Sequence, residues 1–457
     1  MHTSAILTTT TFSPQTETVL PDRPDTRANR PISQRLQSID VIRGVALLGI
    51  LMMNIPGFAL PDGLERQQTL AHPGDANYTT AYWVDVLFAG KMRALFSMLF
   101  GAGVILFTNR KQASDGFGIA DFYYRRMLWL VVFGVVDAFF LLWKGDILYW
   151  YGLCGLLLFP LRNVPARQLA LGALVCFSFL ALKAHWRFLE NKHLHEAYTH
   201  AIALEKQHVK LNDTQEASRN AWLGLLKKRE PDPKQEAAEI KTMQSDYRTI
   251  WLFLLPKIVE IQSTFFYATF WDALGMMLLG MALLKWGVFS GQFRRRTYLM
   301  MVLLGYGIGI PLGMYAEQST LEAFGNYGHY LDTHTVGINR LSYDLRRVLM
   351  ALGHIGLIML VFRSGLVPWL MQTLSAVGQM AFTNYVMHTL ICTFIFFGYG
   401  LGYYGTWQYY QLFYIVVGIW LTQLIISPLW LRYFRFGPLE WGWRSLMYWK
   451  RQSMVRS

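Results

Sequence analysis

The residues of this chain whose types and spacing could do chemistry begin inside its first long apolar run. Asp40, Arg43 and Asn54 interrupt the segment from Ser38 to Leu60. Arg43 and Asn54 are eleven residues apart, which in a helix is about three turns, a rise of roughly 16 Å and a nearly unchanged azimuth. Asp40 lies one turn before Arg43, so all three share a face. A guanidinium in that place could hold a phosphate or a carbonyl oxygen, and an asparagine further along could polarise a carbonyl or orient an acceptor. A charge at the centre of a membrane span costs about 2.5–3.5 kcal/mol on insertion scales. The stripe is therefore either a site or a self-satisfied Asp–Arg pair with an amide bonding across helices.

Three further clusters follow. Lys91 and Arg93 open a small-residue segment that runs on to Gly101 and Gly103. Its structural reading is two cations snorkelling at the outer interface before a closely packed helix. The glycines form no phosphate loop, because no Lys-Ser/Thr pair follows. Asp137 sits within an apolar run and is expected to face the bundle interior, whereas Lys144-Gly145-Asp146 reads as a hairpin turn. Gln379, Thr383 and Asn384 share a face, and Asn384 precedes His388 by four residues, one helical turn. His388 is the candidate general base, since an imidazole titrates near neutrality, with Asn384 placed to position it. His72 is an alternative base, and His354 a weaker one. His193, His195, His200 and His208 share no clean face and read as solvated surface. No metal is expected, because no group has metal-ligand spacing. Cys154, Cys176 and Cys392 lie in apolar segments and read as packed side chains.

The elements that must position these groups are membrane helices. Of 457 residues, 53% are hydrophobic and only 16% charged, against about 25% charged in soluble domains. The deficit falls in repeated apolar runs of spanning length. The expected fold is all-α, a polytopic helical membrane protein of about ten spans with both termini inside. The net charge of +13 comes from basic residues in short connectors, which fits positive-inside topology and not a nucleic-acid footprint. Residues 1–34, polar and without an apolar core, read as a disordered cytoplasmic arm. Residues 35–185 form a first membrane bundle of five spans, the second of them (about 84–108) opening in a re-entrant or interfacial piece. Residues 186–248 form an extracytoplasmic helical insertion broken at Pro231-Asp232-Pro233. Residues 249–430 form a second bundle of five spans, the ninth at about 376–398, and residues 431–457 a basic, Trp-rich interfacial tail. The bilayer is thus the one partner the composition requires.

The chain resembles the YeiB family of bacterial inner-membrane proteins. The resemblance rests on Ile39-Asp40-Val-Ile-Arg43-Gly44 with Asn54, on Leu95-Phe96-Ser97-Met-Leu-Phe100-Gly101-Ala-Gly103, and on Trp143-Lys-Gly145-Asp146 with Tyr151-Gly152-Leu153. It continues through Gly378-Gln-Met-Ala381-Phe-Thr383-Asn384-Tyr385 and Trp430-Leu-Arg432-Tyr-Phe434-Arg435-Phe-Gly437-Pro438-Leu-Glu440-Trp441. The first spans also resemble a wider group of transmembrane acyltransferases that includes heparan-alpha-glucosaminide N-acetyltransferase. In that group an arginine is followed eleven residues later by histidine or asparagine, as Arg43 is by Asn54. This second resemblance implies transfer of an acyl group from cytoplasmic acyl-CoA, a co-substrate and not a resident cofactor, to an extracytoplasmic or lipid-linked carbohydrate-like acceptor. Arg43 and Asp40 would then serve the donor, and Asn54 with His388 or His72 the chemistry; Lys91, Arg93, Asp137 and Asn384 would be supporting polar groups. There is one departure: where the lysosomal enzyme has its catalytic histidine, this chain has Glu65. The same polar path could instead carry a small solute or lipid across the membrane, or belong to a non-catalytic membrane component.

Overall fold

The computed structural model describes residues 37–112, 118–264 and 266–455. The arm read at 1–34 lies outside them. All secondary structure among the described residues is helical, apart from one isolated bridge between Phe434 and Val455.

The first half comprises α1 (Gln37–Ala59), α2 (Asp62–Leu70), α3 (Ala76–Leu87), α4 (Lys91–Gln112), α5 (Gly118–Phe139), α6 (Leu148–Leu161) and α7 (Ala166–Lys206). Then come α8 (Asp213–Lys227), α9 (Pro233–Met243), α10 (Tyr247–Ser263), α11 (Phe266–Lys285), α12 (Arg295–Gly325), α13 (Tyr327–Thr333) and α14 (Ile338–Leu341). The chain closes with α15 (Tyr343–Ser364), α16 (Pro368–Gln379), α17 (Ala381–Phe396), α18 (Leu412–Tyr433) and α19 (Pro438–Tyr448). Six helical stretches are long and apolar enough to cross a membrane: Gln37–Ala59, Ala76–Asn109, Ala166–Lys206, Arg295–Gly325, Tyr343–Ser364 and Tyr409–Tyr433. Every other expected span also falls on a helix, namely α5, α11 and the shorter apolar helices α6 and α17.

Three expectations gain detail. The piece before Lys91 is α3, which leads into α4 through a bend at Gly90, whose φ of 73° suits glycine; together they make an apolar run of 34 residues. The ninth span is two helices that meet at Met380. Glu440 sets that break, accepting hydrogen bonds from Phe382 N (2.7 Å), Thr383 N (3.1 Å) and Thr383 Oγ1 (2.5 Å). It thus satisfies orphan donors in the first turn of α17. The insertion opens as a continuation of α7, which runs unbroken through its 41 residues. At 1.5 Å per residue that is about 60 Å, twice the hydrocarbon thickness, so the helix carries on beyond the bundle. The break expected at Pro231–Pro233 is present, with Asp232 capping α9 through Lys234 N and Gln235 N.

α1 stands at the centre, against α4, α15, α16, α17 and α18. Two glycines permit this. A Cβ on Gly378 would lie 1.9 Å from Asp40 O, and one on Gly44 would lie 2.1 Å from Leu374 O, so α1 and α16 touch backbone to backbone. One end of the bundle is basic, carrying Arg43, Arg126 and Arg444 close together. The other is capped by short helices: Gly405 N donates to Ala59 O (2.7 Å), Arg66 reaches Arg229 O (3.4 Å), and Lys257 pairs with Glu239 (2.9 Å).

Candidate functional site

At the basic end, Arg43 Nη1 meets Asp40 Oδ1 at 3.0 Å and Gly378 O at 3.4 Å, with a quarter of its side chain exposed. The Asp–Arg pair read from the sequence is therefore real. Arg126 lies in the same positive field as Arg43 and Arg444, its guanidinium over the rings of Phe107 and Trp443. Asn54 behaves differently. It is half-buried, and its amide makes no hydrogen bond among the described residues.

Lys91 and Arg93 do not snorkel. Lys91 is 3% exposed and donates to Asp85 O. Arg93 pairs with Asp272 at 2.9 Å, and Asp272 also takes Arg347. Arg347, 1% exposed, pairs in turn with Asp344 at 3.0 Å and donates from Nε to Gly90 O at 3.0 Å. Arg346 donates to Asn339 Oδ1 at 2.6 Å and lies 3.8 Å from Glu317. Helices α4, α11, α12 and α15 are thus tied together by ion pairs. Sequence reasoning missed Asp272, Asp344, Arg346 and Arg347. The available signal was charges of both signs at or inside apolar runs, which must find one another.

Asp137 faces the interior as expected, and Asp146 is more than a turn residue. Asp146 accepts from Leu148 N (3.1 Å) and Tyr149 N (2.9 Å), with Tyr385 Oη 3.4 Å away. Thr389 Oγ1 lies 3.4 Å from Asp137 Oδ2. The two carboxyls are neighbours, and like charges so placed favour holding a proton between them. Asp137 Oδ1 is buried without a partner.

His388, 2% exposed, meets Gln423 Oε1 at 3.1 Å through Nε2, and its Nδ1 is buried and unpartnered. No hydrogen bond joins Asn384 to His388. The Asn384 side chain donates to Val377 O (3.2 Å) and Ser427 Oγ (3.0 Å), while its backbone carbonyl accepts from Gln423 Nε2 (3.0 Å). These residues tie α17 to α18, and no hydrogen bond joins them to Arg43 or Asn54. His354 uses both nitrogens, on Tyr306 Oη (2.7 Å) and Leu87 O (2.9 Å). His72 is exposed. His195 corrects the solvated reading of the loop histidines: it is 7% exposed, lies tilted against Trp222 at 4.5 Å and faces Asp332 at 3.3 Å. Among the described residues, no group of three His, Cys, Asp or Glu side chains could hold a metal.

Glu65, on α2 at the capped end, has a carboxyl pushed up to about 7. Burial contributes most, then the negative charges of Asp62 and Asp85, with Lys144 and Arg66 opposing. Its neighbour Asp62 goes the other way, held below the usual range by Lys144 at 2.9 Å despite partial burial.

Comparisons with known proteins place the chain. Residues 283–450, from the end of α11 to the end of α19, match a family described as "Protein of unknown function (DUF418)". Uncharacterized protein YeiB of Escherichia coli strain K12 is 30% identical over 429 residues, 90% of this chain and 96% of that protein. Uncharacterized protein YxaH of Bacillus subtilis strain 168 is 26% identical over 434 residues, 93% of this chain and 97% of that one. No solved structure matches. Near-complete coverage at 30% identity, with the DUF418 segment lying over the Arg347 and Glu440 contacts, makes this chain a member of the YeiB-like DUF418 family.

Proposed function

We propose that the chain is a membrane acyltransferase of the bacterial inner membrane. It takes an acyl group from cytoplasmic acyl-CoA and places it on a hydroxyl or amine of an extracytoplasmic or lipid-linked, carbohydrate-like acceptor. The observation that carries this reading is Asn54, a half-buried amide without a hydrogen-bond partner among the described residues, on the central helix three turns from Arg43. By the positive-inside rule the basic end faces the cytoplasm. Arg43, supported by Arg126, would hold the donor's phosphates there, and the thioester would reach towards Asn54.

Three candidates compete for the base. His388 is enclosed between α17 and α18, and His72 is exposed. Glu65 combines partial burial with a carboxyl that titrates near 7, which suits a general base. In this reading Glu65 takes the proton of the acceptor hydroxyl as its oxygen attacks the thioester carbonyl. Asn54 donates to the resulting oxyanion. The tetrahedral centre then expels CoA thiolate, which recovers the proton, giving an ester and free CoA.

Release of CoA from acetyl-CoA by the purified chain in nanodiscs tests the reading. Arg43→Ala, Asn54→Ala and Glu65→Gln should each lower the rate about 100-fold or more, the scale of losing one oxyanion donor or an essential base. His388→Ala should change it only a few-fold. A silent His388→Ala with an active Glu65→Gln would move the base to His388. No CoA release, together with solute counterflow in liposomes, would favour transport instead.

A further inference from the structure

A cavity of about 240 Å³ lies between α5, α6 and α10, its wall including Gly134, Ala138, Tyr149, Val259, Gln262 and Ser263. It borders a largely apolar surface: Val132 and Val136 on α5, Phe140 just beyond it, and Leu252 and Val259 on α10 are all exposed, with Glu260 the exposed charge beside them. Gln262 breaks that pattern. It is 8% exposed, and neither its amide oxygen nor its nitrogen has a hydrogen-bond partner among the described residues. A buried amide costs free energy until it is paired, and hydrocarbon offers no water to pair it.

The electrostatics narrow the occupant. Behind the wall, Asp146 Oδ2 accepts from Tyr149 N at 2.9 Å, and a Cβ on Gly134 would come within 2.7 Å of the same oxygen. Asp137 adjoins it. Two acids behind the wall disfavour a negatively charged head. A neutral group able both to donate and to accept fits the amide. The volume holds about eight waters at roughly 30 Å³ each, enough for a glycerol-sized head but not for acyl chains. Those chains have the exposed face of α5 and α10 to lie on.

We infer that this cavity binds the uncharged, hydroxyl-bearing head of a membrane lipid of the diacylglycerol type, hydrogen-bonded by Gln262, with its chains along α5 and α10. The inference deepens the acyl-transfer reading by naming a lipid acceptor, and it rests on that reading for this role alone. The α5–α6 loop supplies a physical link, since Trp143 stacks on Phe58 of α1 at 3.8 Å, one turn beyond Asn54.

The test measures binding without acyl-CoA, so its failure is separable from failure of acyl transfer. The full chain in nanodiscs is irradiated with a diazirine diacylglycerol, and in parallel with the matching phosphatidate probe. Labelling should map to Val259–Ser263 with the diacylglycerol and be several-fold weaker with phosphatidate. Gln262→Leu should lower it about two- to ten-fold, the worth of one hydrogen bond, without loss of folding, because it removes an unpaired polar group. Ala138→Phe should abolish it by filling the cavity; Gln262→Asn should retain part of it. Equal labelling by both probes, no labelling of Val259–Ser263, or full labelling in Gln262→Leu would overturn the inference.

Discussion

The Arg93–Asp272–Arg347–Asp344 network and the Asp137–Asp146 pair both bury charge among apolar helices, yet they are balanced differently. In the network, guanidiniums and carboxylates alternate, so each charge meets its opposite. In the pair, two acids face each other with a threonine, a tyrosine and backbone amides around them. Opposite charges fix three helices in register and leave little for a ligand to do. Like charges must hold a proton or face a neutral guest, and the guest-sized cavity lies beside them. Asn54 and Glu65 belong with the second kind, as polar groups whose surroundings do not complete them.

The contrast can be broken first at its strong end. Arg347→Met leaves Asp344 without its partner and Asp272 with Arg93 alone, and should cost about 3–5 kcal/mol, read as a large drop in thermal midpoint in detergent. A loss below 1 kcal/mol would deny the network its structural role. Glu65 comes next. Its carboxyl titrates at about 7 in the folded chain against 4.5 for the free group. The folded state therefore keeps its proton while the unfolded state releases it, and Glu65's contribution to stability is complete below about pH 4.5 and lost as pH rises through 7. Glu65→Gln should thus be more stable than the parent near pH 8, by about 1–2 kcal/mol after solvent screening, and equal to it near pH 4. Activity should rise with pH through the same window if Glu65 is the base.

Asp137→Asn sharpens the comparison from the other side. The amide can donate to Asp146 where a shared proton does now, so stability should stay within about 1 kcal/mol of the parent. A fall as large as that of Arg347→Met would show the pair to be another structural brace. The smallest effect is expected for Lys144→Met, which removes the partner of the exposed Asp62. It should cost about 0.2–1 kcal/mol and fade in high salt.

Much of this was legible in the chain. The period of α1 put Asp40 and Arg43 in contact, and the mid-run position of Asp137 pointed it inwards. The prolines at 231 and 233 marked a helix break. What could not be read was pairing at a distance: Asp272 with Arg93 and Arg347 joins segments 179 and 75 residues apart, and no local periodicity encodes that. Lys91 and Arg93 looked like snorkelling cations because their partners lie on other helices. The break at Met380 was hidden for the same reason, since its cap, Glu440, comes from α19. Gln262 gave no signal in sequence. An amide near a helix end is ordinary until its surroundings are known to be dry.

The central claim is that Asn54 faces a reacting acyl group. Sealed inside-out vesicles containing the chain, given acetyl-CoA labelled in the acetyl carbons on their cytoplasmic face, test it most directly. Covalent label in a lipid or extracytoplasmic acceptor, reduced about 100-fold by Asn54→Ala while the variant keeps the parent's thermal midpoint, is the predicted result. Intact acetyl-CoA with no covalent label, or undiminished transfer by Asn54→Ala, would contradict it.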